Sequence, residues 1–545
     1  MYQALLTKKY LTRKVMPMLA MAAVMLSVAT ILITWSVMGG FLKTLIESGR
    51  TLVGDVAIVW PNVGFAHYDD LIERLEADEL IDSATPTIET FGLIKLPDDR
   101  VELISIKGIE ASSYSDVTGF ADTMWWKPIT EPTSKDHKKE DIRLDPSYQS
   151  LFTEMEANGK SMTRVNEDTG NVESAGVLGI EVTGQNYRTG WGGYYPLQPN
   201  RALPDGSVEK IETFMPRNGS VDLTILALDS EGRPIDPVRR TIPIANEFQS
   251  GLYEVDQGTI FVPLDIIQRM LRLDEAQKVE RVKDTENPFA IEIDPVTGEI
   301  GPKMKEIIGV DPARVTTVLV RGVDGAELEV VRQRVRDIYS EFADEFAGEV
   351  PAAIQMENQV KTWEDLNRTM ISAVKKETIM VLFIFGIVSF TTVFLVLAIF
   401  WSMATEKTKD IGVLRALGAS TPGIAWLWIR YGASIGIVGS IAGTALGYWV
   451  VLNINEIHDW MGQDLGPWLS NILSWFAGLV GRGPVVLDLV IWDPRQYYFV
   501  EIPSEVDPSK AAIIFVIGIL TCVVGAAIPA IHSARMDPVK ALRFE

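Results

Sequence analysis

Four stretches of this chain carry no charged residue and are each long enough to cross a bilayer, which limits the fold more than any other feature. They are 16–38, 378–403, 431–452 and 511–531, with 23, 26, 22 and 21 residues. About 20 apolar residues in a helix span the hydrocarbon. Between the first and second runs the character changes. Residues 42–403 hold 36 Lys and Arg against 60 Asp and Glu, so almost all the acidity of a chain with net charge −22 sits there. Such a surface favours solubility and disfavours nucleic acid.

The pattern predicts an α-helical membrane protein with four transmembrane helices and a large α+β extracytoplasmic domain inserted between the first and second helices. The expected order begins with a cytoplasmic amphipathic segment, 1–15, and a first span, 16–41. The extracytoplasmic domain, 42–377, carries an inserted β subdomain. A second span, 378–403, a charged cytoplasmic segment, 404–423, and a third span, 424–452, follow. An outer loop with an interfacial helix, 453–510, a fourth span, 511–532, and a cytoplasmic tail, 533–545, complete it. Orientation follows from Lys8, Lys9, Arg13 and Lys14 at one end, Lys407, Lys409 and Arg415 in the middle, and Arg535, Lys540 and Arg543 at the other. Short basic flanks stay in the cytoplasm, whereas long domains translocate regardless of charge.

Within 42–377 the two ends read alike. Residues 55–60 suit a strand, 67–77 a helix, and 91–96 with 101–106 a hairpin turned at Pro97, Asp98 and Asp99. Residues 316–320 read as a strand and 326–342 as a helix, so two βα pieces are expected to pair as one layer around an insertion. In the insertion, 221–228 and 259–262 are strand-like and the Lys-rich 132–143 reads as a surface excursion. The Gly-Trp-Gly-Gly-Tyr-Tyr run within 188–204 reads as an irregular surface loop or a binding loop, and 229–237 as a protruding hairpin. Residues 465–481 are apolar but short and interrupted by Pro467, which suits a helix lying on the membrane.

Several chemistries are excluded. One cysteine, Cys522, leaves no intramolecular disulfide and no cysteine-ligated zinc cluster. No G-x-x-x-x-G-K-[ST] or H-E-x-x-H occurs, and His67, His137, His458 and His532 are scattered. No catalytic or metal-ligating set is assigned, and an enzyme acting alone is not expected.

The segment 405–422 is a short charged helix between two spans. Ile411, Leu414 and Leu417 recur at spacings of three on one face, with Glu406, Lys407, Lys409, Asp410 and Arg415 supplying charge. Gly418 suits a helix stop, and Thr421 with Pro422 suits the start of the next helix. In the third span Gly432, Gly436, Gly439, Gly443 and Gly447 allow close helix approach, and Trp426, Trp428, Tyr448 and Trp449 suit interfacial belts. Thr34, Met38, Phe41 and Leu45 share one face of the first helix, and Phe383, Ile387, Phe390 and Phe394 one face of the second.

The run 406–420, EKTKDIGVLRALGAS, resembles the coupling segment of the FtsX-like permeases, membrane subunits of ABC transporters. SVMGGF (36–41), IKGIE (106–110), SGLYEVD (250–256), FVPLD (261–265), WEDLNR (363–368), IPSEV (502–506) and DPVKALRFE (537–545) resemble the LolC/LolE type of lipoprotein-releasing permease. Gly39 stands where that type usually has asparagine, and the insertions around 125–170 and 453–495 are long. The resemblance implies a multi-pass protein of the bacterial inner membrane with a periplasmic domain. It implies no cofactor bound by this chain itself, ATP and Mg being held by a partner cytoplasmic ABC ATPase. That partner would contact Glu406, Lys407, Asp410, Ile411, Leu414 and Arg415. It further implies a second permease subunit, identical or not, surrounding membrane lipid, and lipoprotein cargo. The acyl chains would lie in a cavity lined by the two stripes, Thr34, Met38, Phe41 and Leu45 with Phe383, Ile387, Phe390 and Phe394. A periplasmic carrier would meet the hairpin carrying Arg233, Pro234 and Pro237. The alternative within the superfamily is a mechanotransmission subunit that regulates an extracytoplasmic hydrolase or sensor and transports nothing.

Overall fold

The computed structural model describes residues 15–536 apart from 62, 134–140, 167–168, 198–199, 203–207, 211–212, 227–235, 284–290, 294–299, 303, 480–482, 484, 488 and 495–497. The basic residues expected to flank the first span, Lys8 to Lys14, and the tail from 537 onward lie outside the described residues. The chain divides into two compact units, Ile46–Arg368 and the combination of Met1–Leu45 with Thr369–Glu545.

The first of these units is built on nine strands: β1 (Val56–Val59), β2 (Ile81–Lys95), β3 (Val101–Ile109), β4 (Gly176–Gly179), β5 (Ser220–Ile225), β6 (Val238–Phe248), β7 (Thr259–Pro263), β8 (Thr317–Gly322) and β9 (Val360–Thr362). Their order is β5-β6-β4-β7-β3-β2-β8-β1-β9. The two ends of the segment meet, since β1 lies between β8 and β9 with Val56 opposite both Val320 and Thr362. The expected hairpin is present but longer on both sides, with Leu93 opposite Leu103 and Thr87 opposite Ile109.

Four of the inserted strands, β4 to β7, join the parent strands in one sheet. The far half of β2 also pairs with β5, Leu93 opposite Thr224 and Lys95 opposite Asp222, which closes β5, β6, β4, β7, β3 and β2 into a ring. The alternation of a strand explains why. Val221, Leu223 and Ile225 of β5, Ile242 of β6 and Ile260 of β7 are buried in one cluster with Ile94 and Ile104. Those side chains escape water only if insertion and parent strands share an interior. Gly92 sits at the closure, where a Cβ would lie 2.7 Å from Ile106 Cδ1 and 2.8 Å from the Thr224 carbonyl. A second cluster packs on the outer side of the ring, including Leu52, Tyr114, Val117, Phe120, Val177, Phe248 and Phe261. Elsewhere that outer side is bare, with Phe91 70% and Leu103 72% exposed.

One surface expectation fails. The Gly-Trp-Gly-Gly-Tyr-Tyr run folds as a tight hairpin, Asn186–Arg188 against Tyr194–Pro196, whose Trp191 and Tyr194 are buried. Trp191 folds back so closely that a Cβ on Gly193 would sit 1.7 Å from its ring. Trp125 meets Tyr194 edge-on at 5.0 Å, so the aromatic content builds a satellite core. The body of the Lys-rich excursion, 134–140, lies outside the described residues; at its end Arg143 is buried, paired with Asp141 at 2.8 Å and lying 3.8 Å over Trp125.

The other unit has four helices long and apolar enough to cross a membrane, within Val15–Arg50, Arg368–Glu406, Thr421–Leu452 and Pro508–Ala534. The first and second run well past the uncharged stretches. Lys43, Glu47, Arg368, Lys375, Lys376 and Glu377 are good helix formers, and a charge ends a hydrophobic run without ending a helix. The apolar segment after the third helix forms a 14-residue helix, Gly466–Leu479, too short to cross. Its Ser470 and Ser474 side chains hydrogen-bond the returning backbone at Leu487 and Val485.

Candidate functional site

The charged segment between the second and third long helices forms the helix Thr408–Ala416. Its stop is a Schellman arrangement. Gly418 adopts φ 93°, its N–H donates to the Arg415 carbonyl at 3.0 Å, and the Ala419 N–H donates to the Leu414 carbonyl at 3.0 Å. Ser420, not Thr421, caps the next helix, its hydroxyl accepting from the Gly423 N–H at 3.3 Å. The Thr421 hydroxyl accepts instead from Arg415 Nη1 at 2.7 Å, which ties the short helix to the one that follows.

The face read as outward splits. Ile411 is 3% exposed and belongs to the membrane unit's own core with Phe400, Met403, Ile424 and Trp428. Leu414 and Arg415 are half-buried, while Glu406 and Asp410 are exposed and Lys407 pairs with Asp410 at 2.8 Å. The outward apolar residues are Val413, 47% exposed, and Leu417, 80% exposed. Spacing identified residues sharing a face, but that face is shared between the chain's own core and solvent.

The glycine stripe of the third helix is used inside the chain. A Cβ at Gly443 would lie 2.6 Å from the Met25 carbonyl oxygen and 2.9 Å from Val28 Cβ, so Gly439, Gly443 and Gly447 seat the first helix. Gly432 and Gly436 seat the fourth, against Ala526, Cys522 and Ile519. Trp428 does not join the outer belt, being buried with its ring 6.3 Å from Phe400 and 6.2 Å from Tyr431. Trp426, Tyr448 and Trp449 are exposed.

The two apolar stripes have different surroundings. Thr34, Met38, Phe41 and Leu45 are half-buried, with Phe41 edge-on to Phe499 at 5.5 Å. Phe383, Ile387, Phe390 and Phe394 are all exposed, on the least covered of the four long helices. Beside the first stripe the IPSEV segment lies across the helix as a strap. The Glu505 N–H donates to the Ser36 carbonyl at 3.0 Å, and Lys43 pairs with Glu505 at 2.9 Å. The approach needs Gly40, where a Cβ would be 2.5 Å from the Ser504 nitrogen and 2.6 Å from its Cα.

For the proposed carrier hairpin, Arg233 and Pro234 lie outside the described residues and Pro237 is exposed. Its flanking strands pair up to Ile225 opposite Val238. Sequence reasoning missed Glu247, a carboxylate 1% exposed that accepts from Trp126 Nε1 at 2.6 Å and from Asn186 Nδ2 at 2.9 Å. Burial pushes it up to about 7 despite those donors. No signal marks it, because its partners come from residues 61 and 121 positions away.

Residues 382–538 match the family described as FtsX-like permease C-terminal. The chain is 26% identical over 197 residues to the lipoprotein-releasing system transmembrane protein LolC of Neisseria meningitidis serogroup B, covering 36% of this chain and 42% of that one. It is 23% identical over 186 residues to LolC of Xylella fastidiosa strain 9a5c, covering 34% and 40%. The matches therefore span less than half the length of these curated relatives. Short helix, glycine stripe and strap all lie in residues 382–538, the segment that matches the FtsX-like permease model, in a multi-pass membrane protein similar in part to permeases of the LolC type.

Proposed function

We propose that this chain is the membrane subunit of an ABC transporter in which a separate cytoplasmic ATPase, with its ATP and Mg, drives extraction of lipoproteins from the inner membrane toward a periplasmic carrier. The observation that carries this is the seating of helix Thr408–Ala416 inside the permease-family segment. Ile411 anchors it among residues of three long helices, while Val413 and Leu417 stay open to a partner. A push on Leu417 passes through Ile411 to Phe400 and Trp428. In this reading four spans cross the membrane, the α/β unit lies on the periplasmic side, and a second permease subunit completes the assembly. The exposed stripe Phe383, Ile387, Phe390 and Phe394, with the half-buried stripe of the first helix, supports an acyl-chain cavity.

Leu417→Asp tests the handle. The site is exposed, so folding should be indifferent, but a charge opposes burial in an apolar groove. The ATPase should no longer co-purify, and ATP-dependent release of a triacylated lipoprotein should stop. Wild-type co-purification and release would remove the handle from the mechanism. A photo-crosslinker at position 38 should capture the triacylated protein, with the adduct falling when ATP is added. Capture of phospholipid alone, independent of ATP, would favour the signalling role.

A further inference from the structure

Helix Gly466–Leu479 turns its polar side chains onto its own loop. Gly466, Ser470 and Ser474 recur every four residues and share one face. The Ser470 hydroxyl donates to the Gly466 carbonyl at 2.8 Å and accepts from the Leu487 N–H at 2.8 Å. The Ser474 hydroxyl donates to the Val485 carbonyl at 3.1 Å and accepts from the Val485 N–H at 3.0 Å. A Cβ on Gly466 would lie 3.4 Å from the Leu487 carbonyl oxygen, so the returning chain runs close along this face. What remains around the helix is apolar apart from Asn471, and Trp468, Leu473, Trp475, Phe476 and Leu479 are exposed. A helix resting on the membrane, as its length suggests, keeps a polar face for water. This one has used its polar face internally, and a helix apolar over the rest of its circumference belongs in a core or in lipid.

The place of the helix in the chain selects between those two. It lies in the same compact unit as the four long apolar helices. The third of these ends in the exposed Tyr448, Trp449 and Leu452, and Asn453, with φ −114° and ψ 21°, breaks the helical run there. Helix Ile454–Trp460 and a π-helical turn, Met461–Leu465, then lead into Gly466. On the way back the Trp492 N–H donates to His458 Nε2 at 3.0 Å and the Ile502 N–H to Asn455 Oδ1 at 2.9 Å, before the fourth long helix starts at Pro508. The aromatic surface is therefore fastened on both sides to helices long enough to cross a bilayer, and it continues the exposed aromatic end of one of them. Charge fixes its attitude. Asp464 stands two residues before the helix and Arg482 three residues after it. The helix is about 21 Å long against a hydrocarbon core of about 30 Å, so standing upright it would sink one of those charges. Lying along the interface, it keeps both near the headgroups and its tryptophans at the depth such rings favour.

We propose that helix Gly466–Leu479 is embedded in the leaflet in which the third long helix ends. It lies parallel to the bilayer plane, with Trp468, Trp475, Phe476 and Leu479 among the acyl chains of the surrounding phospholipid and its serine face against the returning chain. The assignment rests on the third and fourth long helices crossing the membrane, as in the transport reading above, and adds a lipid-binding surface that is not itself a span.

The test places nitroxide labels singly in the full chain, with its ATPase, in phospholipid nanodiscs. Cys522, the one cysteine, is buried and is replaced by alanine. The label sites are Trp475→Cys and Leu479→Cys, with Ile441→Cys on the exposed side of the third long helix and Val310→Cys in the α/β unit as references. Collisions with oxygen, which concentrates in hydrocarbon, are compared with collisions with a nickel chelate, which stays in water. Oxygen should dominate by about tenfold at 441, 475 and 479 and the chelate at 310, because a polar solute enters hydrocarbon only at high cost. Trp468→Glu with Phe476→Glu, both at exposed sites, should raise chelate collisions at 479 by about tenfold and leave 441 unchanged. Chelate dominance at 475 and 479 with oxygen dominance at 441 overturns the embedding and leaves the transport reading intact. Chelate dominance at 441 as well overturns both. Exclusion of both reagents from 475 and 479 identifies a protein cover, a second copy or another subunit, and overturns the embedding, as does indifference of 479 to the paired glutamates.

Discussion

Replacing Gly443 by alanine should destabilise the membrane unit even though alanine is the better helix former. The added Cβ would stand 2.6 Å from the Met25 carbonyl oxygen, 2.9 Å from Val28 Cβ and 3.1 Å from Met25 Cα, whereas ordinary contact begins at 3.4 Å. Two of those atoms are backbone, so a whole helix must retreat by about 0.8 Å, a gap that forfeits a quarter to a half of each contact's dispersion energy along the seam. Overpacking of this kind costs about 1–3 kcal/mol. Against it stands about 1 kcal/mol gained by removing a glycine from a helix interior. The net loss is up to about 2 kcal/mol. The same change elsewhere gives a graded series. At Gly439 the nearest atoms are the Met21 carbonyl oxygen and Val24 Cβ at 3.1 Å, and at Gly447 the nearest is the mobile Leu32 Cδ2 at 3.1 Å. Gly386, in the second long helix, has nothing within 4 Å and should gain. Titration of the detergent-solubilised protein with a denaturing detergent should rank the alanine variants Gly443 least stable, then Gly439, Gly447 and Gly386. A Gly443→Ala protein as stable as Gly386→Ala would refute packing of the first helix on this stripe.

Two further expectations concern groups outside that seam. Glu247 is held up to about 7 by burial against an ordinary value of 4.5, so between those values the folded protein binds the extra proton. Stability therefore falls as pH rises from 4.5 to about 7, by on the order of 3 kcal/mol, and Glu247→Gln should flatten a melting-temperature profile that a pH-independent wild type would contradict. Gly40→Ala places a Cβ against the backbone of Ser504 and should lift the strap, raising amide exchange at Glu505 at least tenfold by hydrogen exchange, whereas unchanged protection would mean the strap does not depend on that contact.

The long helices were legible because absence of charge is a property of sequence alone, but their ends were not. Lys43 and Glu47 interrupt apolarity without breaking helix geometry, so Val15–Arg50 continues past them. In the α/β unit, alternation marked individual strands correctly around Val56, Phe91 and Thr259. Closure of β2 on β5 was not legible. It depends on a register between residues more than a hundred positions apart and on Gly92 leaving room for Ile106 and Thr224. Trp191 and Tyr194 misled for a related reason. Flanking glycines suggest a loose loop, yet here Gly193 is the space into which Trp191 folds.

A periodic stripe tells which side chains share a face and leaves open what that face meets; size then separates the cases. The stripe made of small residues, Gly432 to Gly447, is occupied within the chain, because a partner helix can enter only where no Cβ stands. The stripe made of large residues, Phe383 to Phe394, is left exposed, with Phe390 and Phe394 meeting only edge-on at 4.8 Å. Size does not decide the short helix, where Ile411 and Leu417 are alike in size yet one is taken into the core and the other left at 80% exposure. In the long helices small residues thus record contacts already made inside this chain, while large exposed ones mark surfaces that the chain itself leaves uncovered. That distinction directs the mutational series: glycine positions report on stability, and Phe390 and Leu417 report on association.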